Sequence, residues 1–139
     1  MKILVINGPN LNMLGQREKT NYGELTLGKI EKLMKKEYPN EEFTFFQSNH
    51  EGEIIDQIQN VAQKYEALII NPGGYSHTSV AIRDALEIVK LPKVEVHLSN
   101  ISAREDFRHR SITAPKTDGY ISGFKEKGYL AAVYLIKKL

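Results

Sequence analysis

Short apolar runs and helical repeats alternate along the chain. The runs lie at residues 3–6, 43–46, 67–70, 94–98 and 120–121. Short, mainly apolar runs of this length suit strands covered on both faces. Between them, apolar residues recur at helical spacing. Leu27, Ile30, Leu33, Met34 and Tyr38 share one helical face, and Pro39-Asn40 stops that helix. Ile54, Ile55, Ile58, Val61, Ala62 and Tyr65 define a second, with Ser48 and Glu51 reading as a capping box ahead of it. Ile82, Ala85, Leu86 and Val89 define a third, stopped at Leu91-Pro92. A last helix is expected from about 126 to 138. Its apolar residues nearly encircle it, which predicts cover on more than one side. Lys137-Lys138 suit the negative end of its dipole.

Strands alternating with helices argue for a parallel sheet wrapped on both faces. Five strands in 139 residues fit an α/β, flavodoxin-like three-layer sandwich with sheet order 2-1-3-4-5. No repeat or linker interrupts the rhythm, so residues 1–139 read as a single catalytic domain. An apolar fraction of 41% is enough for one core and excludes a disordered tail. The net charge is only +2, with the basic residues scattered, so composition does not point to nucleic acid. The absence of cysteine removes disulfides, thiolate nucleophiles and cysteine-based metal sites. No apolar stretch approaches the ~18 residues of a membrane span. The run at 3–6 is shorter than the ~7–15 residues of a signal-peptide core. It is read as a strand, and the cytoplasm is the expected compartment.

In such sheets ligands bind beyond the carboxyl ends of the strands, where the strand order reverses. For order 2-1-3-4-5 that point lies between strands one and three. The loops leaving those strands are the unusual parts of this sequence. After strand one comes Asn7-Gly8-Pro9-Asn10-Leu11-Asn12, followed by fourteen more residues before the helix, including Arg17, Glu18, Tyr22 and Gly23. Connections of this kind usually take ~2–6 residues, and long ones often act as lids. Strand three runs into Asn71-Pro72-Gly73-Gly74-Tyr75-Ser76-His77-Thr78 at the opening of a helix. Strand four ends in Glu95-Val96-His97-Leu98-Ser99-Asn100, and the next loop holds Arg104 and Arg108.

Several motifs nearly match and fail. Gly23-x4-Gly28-Lys29 lacks both the preceding strand and the Ser/Thr of a phosphate loop, since Ile30 stands there. Gly74-Tyr75-Ser76-His77-Thr78 lacks the closing glycine of a nucleophile elbow. There is no G-x-G-x-x-G, and the four histidines have no metal-ligand spacing. What remains is acid–base chemistry. Glu95 and His97 are two apart on a strand, so their side chains point the same way, and a carboxylate beside an imidazole fixes its tautomer. Read from the residues alone, this is an acid–base enzyme acting on an anionic, polar small molecule. A flavodoxin-like module holding phosphate or flavin at the Gly73-Gly74 turn stays open as an alternative. A phosphoacceptor domain would need acids where Asn7 and Asn71 stand.

Beyond this, the chain resembles the type II 3-dehydroquinate dehydratases. The resemblance rests on NGPNLNMLGQRE (residues 7–18) followed by Tyr22-Gly23, on NPGGYSHTSVAIRDAL (71–86), on EVHLSNISAREDFRHRS (95–111) and on the closing ISGFKEKGYLAAVYLI. It spans essentially the whole chain. Arg110 stands where a second histidine is common, and Lys19-Thr20-Asn21 replaces a stretch that often contains proline.

The resemblance implies a cofactor-free and metal-free lyase of the shikimate pathway, and hence of aromatic amino acid biosynthesis. It would convert 3-dehydroquinate to 3-dehydroshikimate by trans elimination of water through an enolate. Tyr22 is the implied base. A free phenol titrates at about 10, so it needs nearby positive charge, and Arg17 is the implied source. Asn12 would hold a water against the enolate. His97 would protonate the departing hydroxyl, with Glu95 orienting it. Asn71, Gly73, Gly74, His77, Leu98 through its backbone N–H, Ser99 and Arg108 would bind the substrate, the arginine supplying a charged fork. Asp84 would reach the site from a neighbouring subunit, in a homo-oligomer of trimers grouped into a dodecamer. The segment from about 15 to 24 would close over the substrate as a lid. No lysine stands at a strand end near this constellation, so imine chemistry is not expected.

Overall fold

Parallel strands with helical crossovers do make up the fold, seen in a computed structural model that describes residues 1–16 and 23–139. The order is β1 (Lys2–Asn7), α1 (Leu27–Glu37), β2 (Glu42–Gln47), α2 (Glu51–Lys64), β3 (Ala67–Asn71), α3 (Tyr75–Thr78), α4 (Val80–Ile88), β4 (Lys93–His97), β5 (Gly119–Ser122) and α5 (Lys127–Ile136). The strands pair in parallel in the order β2-β1-β3-β4-β5, the flavodoxin-like arrangement expected.

Strand periodicity sorts the core into two layers. Ile3, Val5, Ile69 and Val96 face α1 and α5, meeting Ile30, Met34, Tyr129 and Val133. Leu4, Ile6, Leu68 and Ile70 face α2 and α4, meeting Ile54, Ile58, Ile82 and Leu86. The inner strands β1 and β3 are therefore apolar at every core position. The edges differ from the expectation of cover on both faces. β2 is half-buried and its first residue is exposed, while β5 begins exposed at Gly119 and Tyr120, because an edge strand has a neighbour on one side only.

Three further details depart from the sequence reading. Ser48 and Glu51 do not form a capping box. The Ser48 hydroxyl donates to Glu53 at 2.8 Å and accepts from the His50 N–H at 2.9 Å. Glu51 is drawn away by Ser79, whose hydroxyl donates to it at 2.5 Å. The segment after β3 is not one helix. It breaks at Ser79, in extended backbone, and the Ser79 oxygen accepts the Ile82 N–H at 2.9 Å to start α4. Finally, α5 buries Gly128, Tyr129, Ala132, Val133 and Ile136 but leaves Tyr134 and Leu135 exposed. Within one chain it is covered on one side.

Candidate active site

Between β1 and β3 the chain leaves neighbouring strands for opposite layers, which opens a cleft at the carboxyl end of the sheet. Two glycines let the loops meet there. Gly8 donates its N–H to the Asn71 carbonyl at 2.8 Å. A Cβ on Gly8 would lie 2.4 Å from the Pro72 oxygen. Gly73 has φ of +63°, and a Cβ there would lie 3.0 Å from the Pro9 oxygen. Only glycine accepts both the close approach and the left-handed backbone.

His97, at the end of β4, lines this cleft and is 5% exposed. Its Nε2 lies 2.7 Å from Oε2 of Glu95, which is wholly buried behind it. The shared direction of the two side chains follows from strand period two. The same carboxylate oxygen accepts from the Ser111 hydroxyl at 2.6 Å, and Oε1 accepts from the Thr113 hydroxyl. An ionised carboxylate has no proton to give, so His97 donates from Nε2. Its Nδ1 is then the ring nitrogen left to exchange a proton with a ligand.

Around His97 stand the other polar groups. His77 stacks near it with ring centroids 6.2 Å apart, and Tyr120 meets it edge-on at 6.4 Å. The His77 Nδ1 lies 2.8 Å from the Arg110 carbonyl and donates to it, so Nε2 is an acceptor. Burial lowers the pKa of His77 from its ordinary value, outweighing the Arg110 carbonyl, and so favours the neutral ring. Arg108 and Arg104 bring positive charge to the rim. Arg108 Nε is held 2.5 Å from Glu105, whose carboxyl that guanidinium keeps below its usual range. Arg104 Nη1 donates to the Ser99 hydroxyl at 3.3 Å.

The Asn71 amide is set from both ends. Its oxygen accepts the Gly73 N–H at 3.1 Å, and its nitrogen donates to the Tyr129 hydroxyl at 3.2 Å. Tyr129 in turn donates to Asn7 Oδ1 at 2.5 Å.

The cleft thus brings together Asn71, Gly73, Gly74, His77, His97, Leu98, Ser99 and Arg108, with Glu95 directly behind. Asn12 does not line it. That side chain is exposed, and its oxygen accepts a 3.4 Å hydrogen bond from Gln47. Asp84 is exposed on α4, away from the cleft. Arg17 and Tyr22 lie outside the described residues. Sequence reasoning missed Ser111, Thr113, Tyr129 and Asn7 as supports of the site. Of these, Asn7, Ser111 and Tyr129 fall within the quoted motifs, and Thr113 alone carried no signal. Among the described residues no cluster of three His, Asp or Glu side chains is arranged to hold a metal ion, and no helix is long and apolar enough to cross a membrane.

Comparison with known proteins points to one family. The profile of the family Dehydroquinase class II matches residues 1–137. The 3-dehydroquinate dehydratase of Clostridium perfringens is 55% identical over 141 residues, covering 99% of this chain and 97% of that protein. That of Thermotoga petrophila is 54% identical over 140 residues, covering 99% and 96%. The crystal structure of the type II dehydroquinase from Butyrivibrio crossotus superposes with a TM-score of 0.95 at 48% identity, covering 99% of this chain and 97% of the other. With a family profile over nearly its whole length and relatives identical at more than half of their positions, the chain belongs to the class II dehydroquinase family.

Proposed function

We infer that the cleft at the ends of β1, β3 and β4 is where 3-dehydroquinate loses water. The chain is a lyase of the 3-dehydroquinate dehydratase type, and its reaction belongs to the shikimate pathway. The buried His97–Glu95 pair, opening into a cleft rimmed by Arg104 and Arg108, is the observation that carries the assignment of the site.

The proposed division of labour is as follows. The proton removed lies next to a ketone, so the first product is an enolate. Tyr22 takes that proton as a phenolate, which Arg17 stabilises from the same loop. A water donates to the enolate oxygen, and Asn12 can hold that water only by turning from Gln47 into the cleft. His97, protonated on both ring nitrogens as the imidazolium, then gives its Nδ1 proton to the departing hydroxyl, which leaves as water because hydroxide is a poor leaving group. Glu95 fixes the imidazole and balances its charge. Arg108 grips the substrate carboxylate. Asn71, Ser99, the Gly73-Gly74 turn and the Leu98 N–H supply donors to the ring oxygens, and the neutral His77 accepts at Nε2. The residues themselves perform acid–base chemistry without a cofactor.

Asp84 supports a reading beyond one chain. It sits exposed at the middle of α4, one turn from Val80 and one turn from Ile88, which are 59% and 70% exposed. An apolar stripe around one carboxylate suits contact with a second copy. We propose that Asp84 reaches a neighbouring cleft in a trimer, with trimers grouped into a dodecamer that works in the cytoplasm.

The test is direct. Purified protein without added metal or cofactor is mixed with 3-dehydroquinate, and the ultraviolet absorbance of the conjugated product is followed. A parallel sample is treated with borohydride. Turnover that survives borohydride establishes the dehydration and excludes an imine route. A folded sample without turnover overturns the reading.

A further inference from the structure

On β4, the positions facing α4 are core positions in a fold of this kind, yet Glu95 occupies one of them with no exposure at all. A carboxylate in that place persists only if its oxygens are fully hydrogen-bonded. Three donors do this: His97 and Ser111 on Oε2, and Thr113 on Oε1. Of the three, only His97 lines the cleft. The two hydroxyls belong to one short segment that is itself pinned. The Ile112 N–H donates to the Ser76 carbonyl at 2.7 Å, Arg83 donates to the Ile112 carbonyl at 2.7 Å, and the Ser111 oxygen accepts the Ala114 N–H at 3.0 Å. Thr113 is wholly buried, so no bulk water stands ready to take its place.

We propose that Thr113 is a positioning residue for the dehydration, acting on His97 through Glu95. The terminal torsion of a glutamate is broad. With Oε1 held by Thr113, the carboxylate plane is set and Oε2 faces His97 Nε2. That in turn aims Nδ1 into the cleft. With Oε1 released, the carboxylate turns and the imidazole loses its fixed direction, although every group that touches substrate is still present. The Ser111 bond alone leaves one oxygen unheld. This inference rests on the reading of His97 as the proton donor.

Thr113→Val keeps the shape and removes the hydroxyl, whereas Thr113→Ser keeps the hydroxyl. Thr113→Cys, with only a weak donor, carries the same comparison if the valine variant does not fold. Steady-state kinetics with 3-dehydroquinate are measured on each folded variant. The imidazole N–H proton resonance of His97 is followed by NMR in the ligand-free protein. The expected result is a kcat lowered about ten- to hundredfold in Thr113→Val with KM within about twofold, and recovery to within about threefold in Thr113→Ser. The downfield His97 resonance moves or broadens in the first and returns in the second. An unchanged kcat and resonance in Thr113→Val overturns the proposal, as does an equal loss in Thr113→Ser. His97→Ala is measured alongside. If it keeps full turnover, the acid assignment itself fails. If it loses turnover while Thr113→Val does not, only the role of Thr113 fails.

Discussion

The backbone of Gly8 passes so close to Pro72 that an added Cβ would sit 2.4 Å from the Pro72 oxygen and 2.7 Å from its carbonyl carbon. Both are backbone atoms, so neither can swing aside. Gly8→Ala therefore has to separate the loops leaving β1 and β3, which together wall the cleft. Overpacking of this kind costs about 1–3 kcal/mol. The variant should unfold at lower denaturant and show a raised KM. A midpoint and KM equal to the parent's would show that the two loops yield freely.

Tyr129→Phe should act on the site from within the core. It leaves Asn7 Oδ1 without its donor and Asn71 Nδ2 without its acceptor. Stranding buried polar groups costs about 1–3 kcal/mol. Because the Asn71 amide is then held by the Gly73 N–H alone, KM should rise more than kcat falls. Burial holds the Tyr129 phenol well above its ordinary range. A phenol so held contributes stability that is complete below the unfolded value of about 10 and declines as pH rises past it. Denaturation measured from pH 6 to 11 should show the parent losing stability at the alkaline end and the phenylalanine variant losing less. Parallel curves would contradict this.

Removing the proton donor and removing the base should look different. His97→Ala should lower kcat about 10²–10⁴-fold, because the hydroxyl must then leave without a proton. Tyr22→Phe should nearly abolish turnover while calorimetry still records substrate binding. Loss of binding with normal turnover at saturation would remove Tyr22 as the base.

Glu41 offers a pH test remote from the cleft. Lys137 Nζ lies 2.7 Å from its Oε1 and the Met1 amine 2.8 Å from its Oε2. The Lys137 hydrogen bond, followed by that of the amine, holds the Glu41 carboxyl below its usual range. The stabilisation is thus complete above the ordinary glutamate value, about 4.3, and is lost as pH falls through the lower folded value. Glu41→Gln should melt below the parent at pH 7, and the two should converge towards pH 3. A gap that persists in acid would mean packing, not charge.

How much of this was legible in the sequence depends on how local each feature is. β1 and β3 announce themselves because every core position is apolar. The alternation of elements announces a parallel sheet, and five such strands fit the order 2-1-3-4-5 that is observed. Phe43, Phe45 and Phe46 form a similar run, yet β2 is an edge, and exposed Thr44 is the one residue within the run that marks it. Ser48 and Glu51 have capping-box spacing, but Ser79, 28 positions away, claims the glutamate. The same contrast holds at the site. Glu95 and His97 were found through strand period alone. Asn12 has the right neighbourhood in sequence, yet its side chain turns to Gln47. Ser111 and Thr113 act through a loop that folds back 16 and 18 positions to Glu95, and no periodicity reports such a return.

The Tyr129–Asn7 hydrogen bond joins positions 122 residues apart. Contacts of that span form late, since a long loop must close first. During synthesis, Asn7 is made 122 residues before Tyr129 and waits for α5. A nascent chain that stops short of α5 already holds His97, Glu95 and both rim arginines, but its Asn71 amide is held at one end only. Completion of the cleft is thereby tied to the arrival of α5.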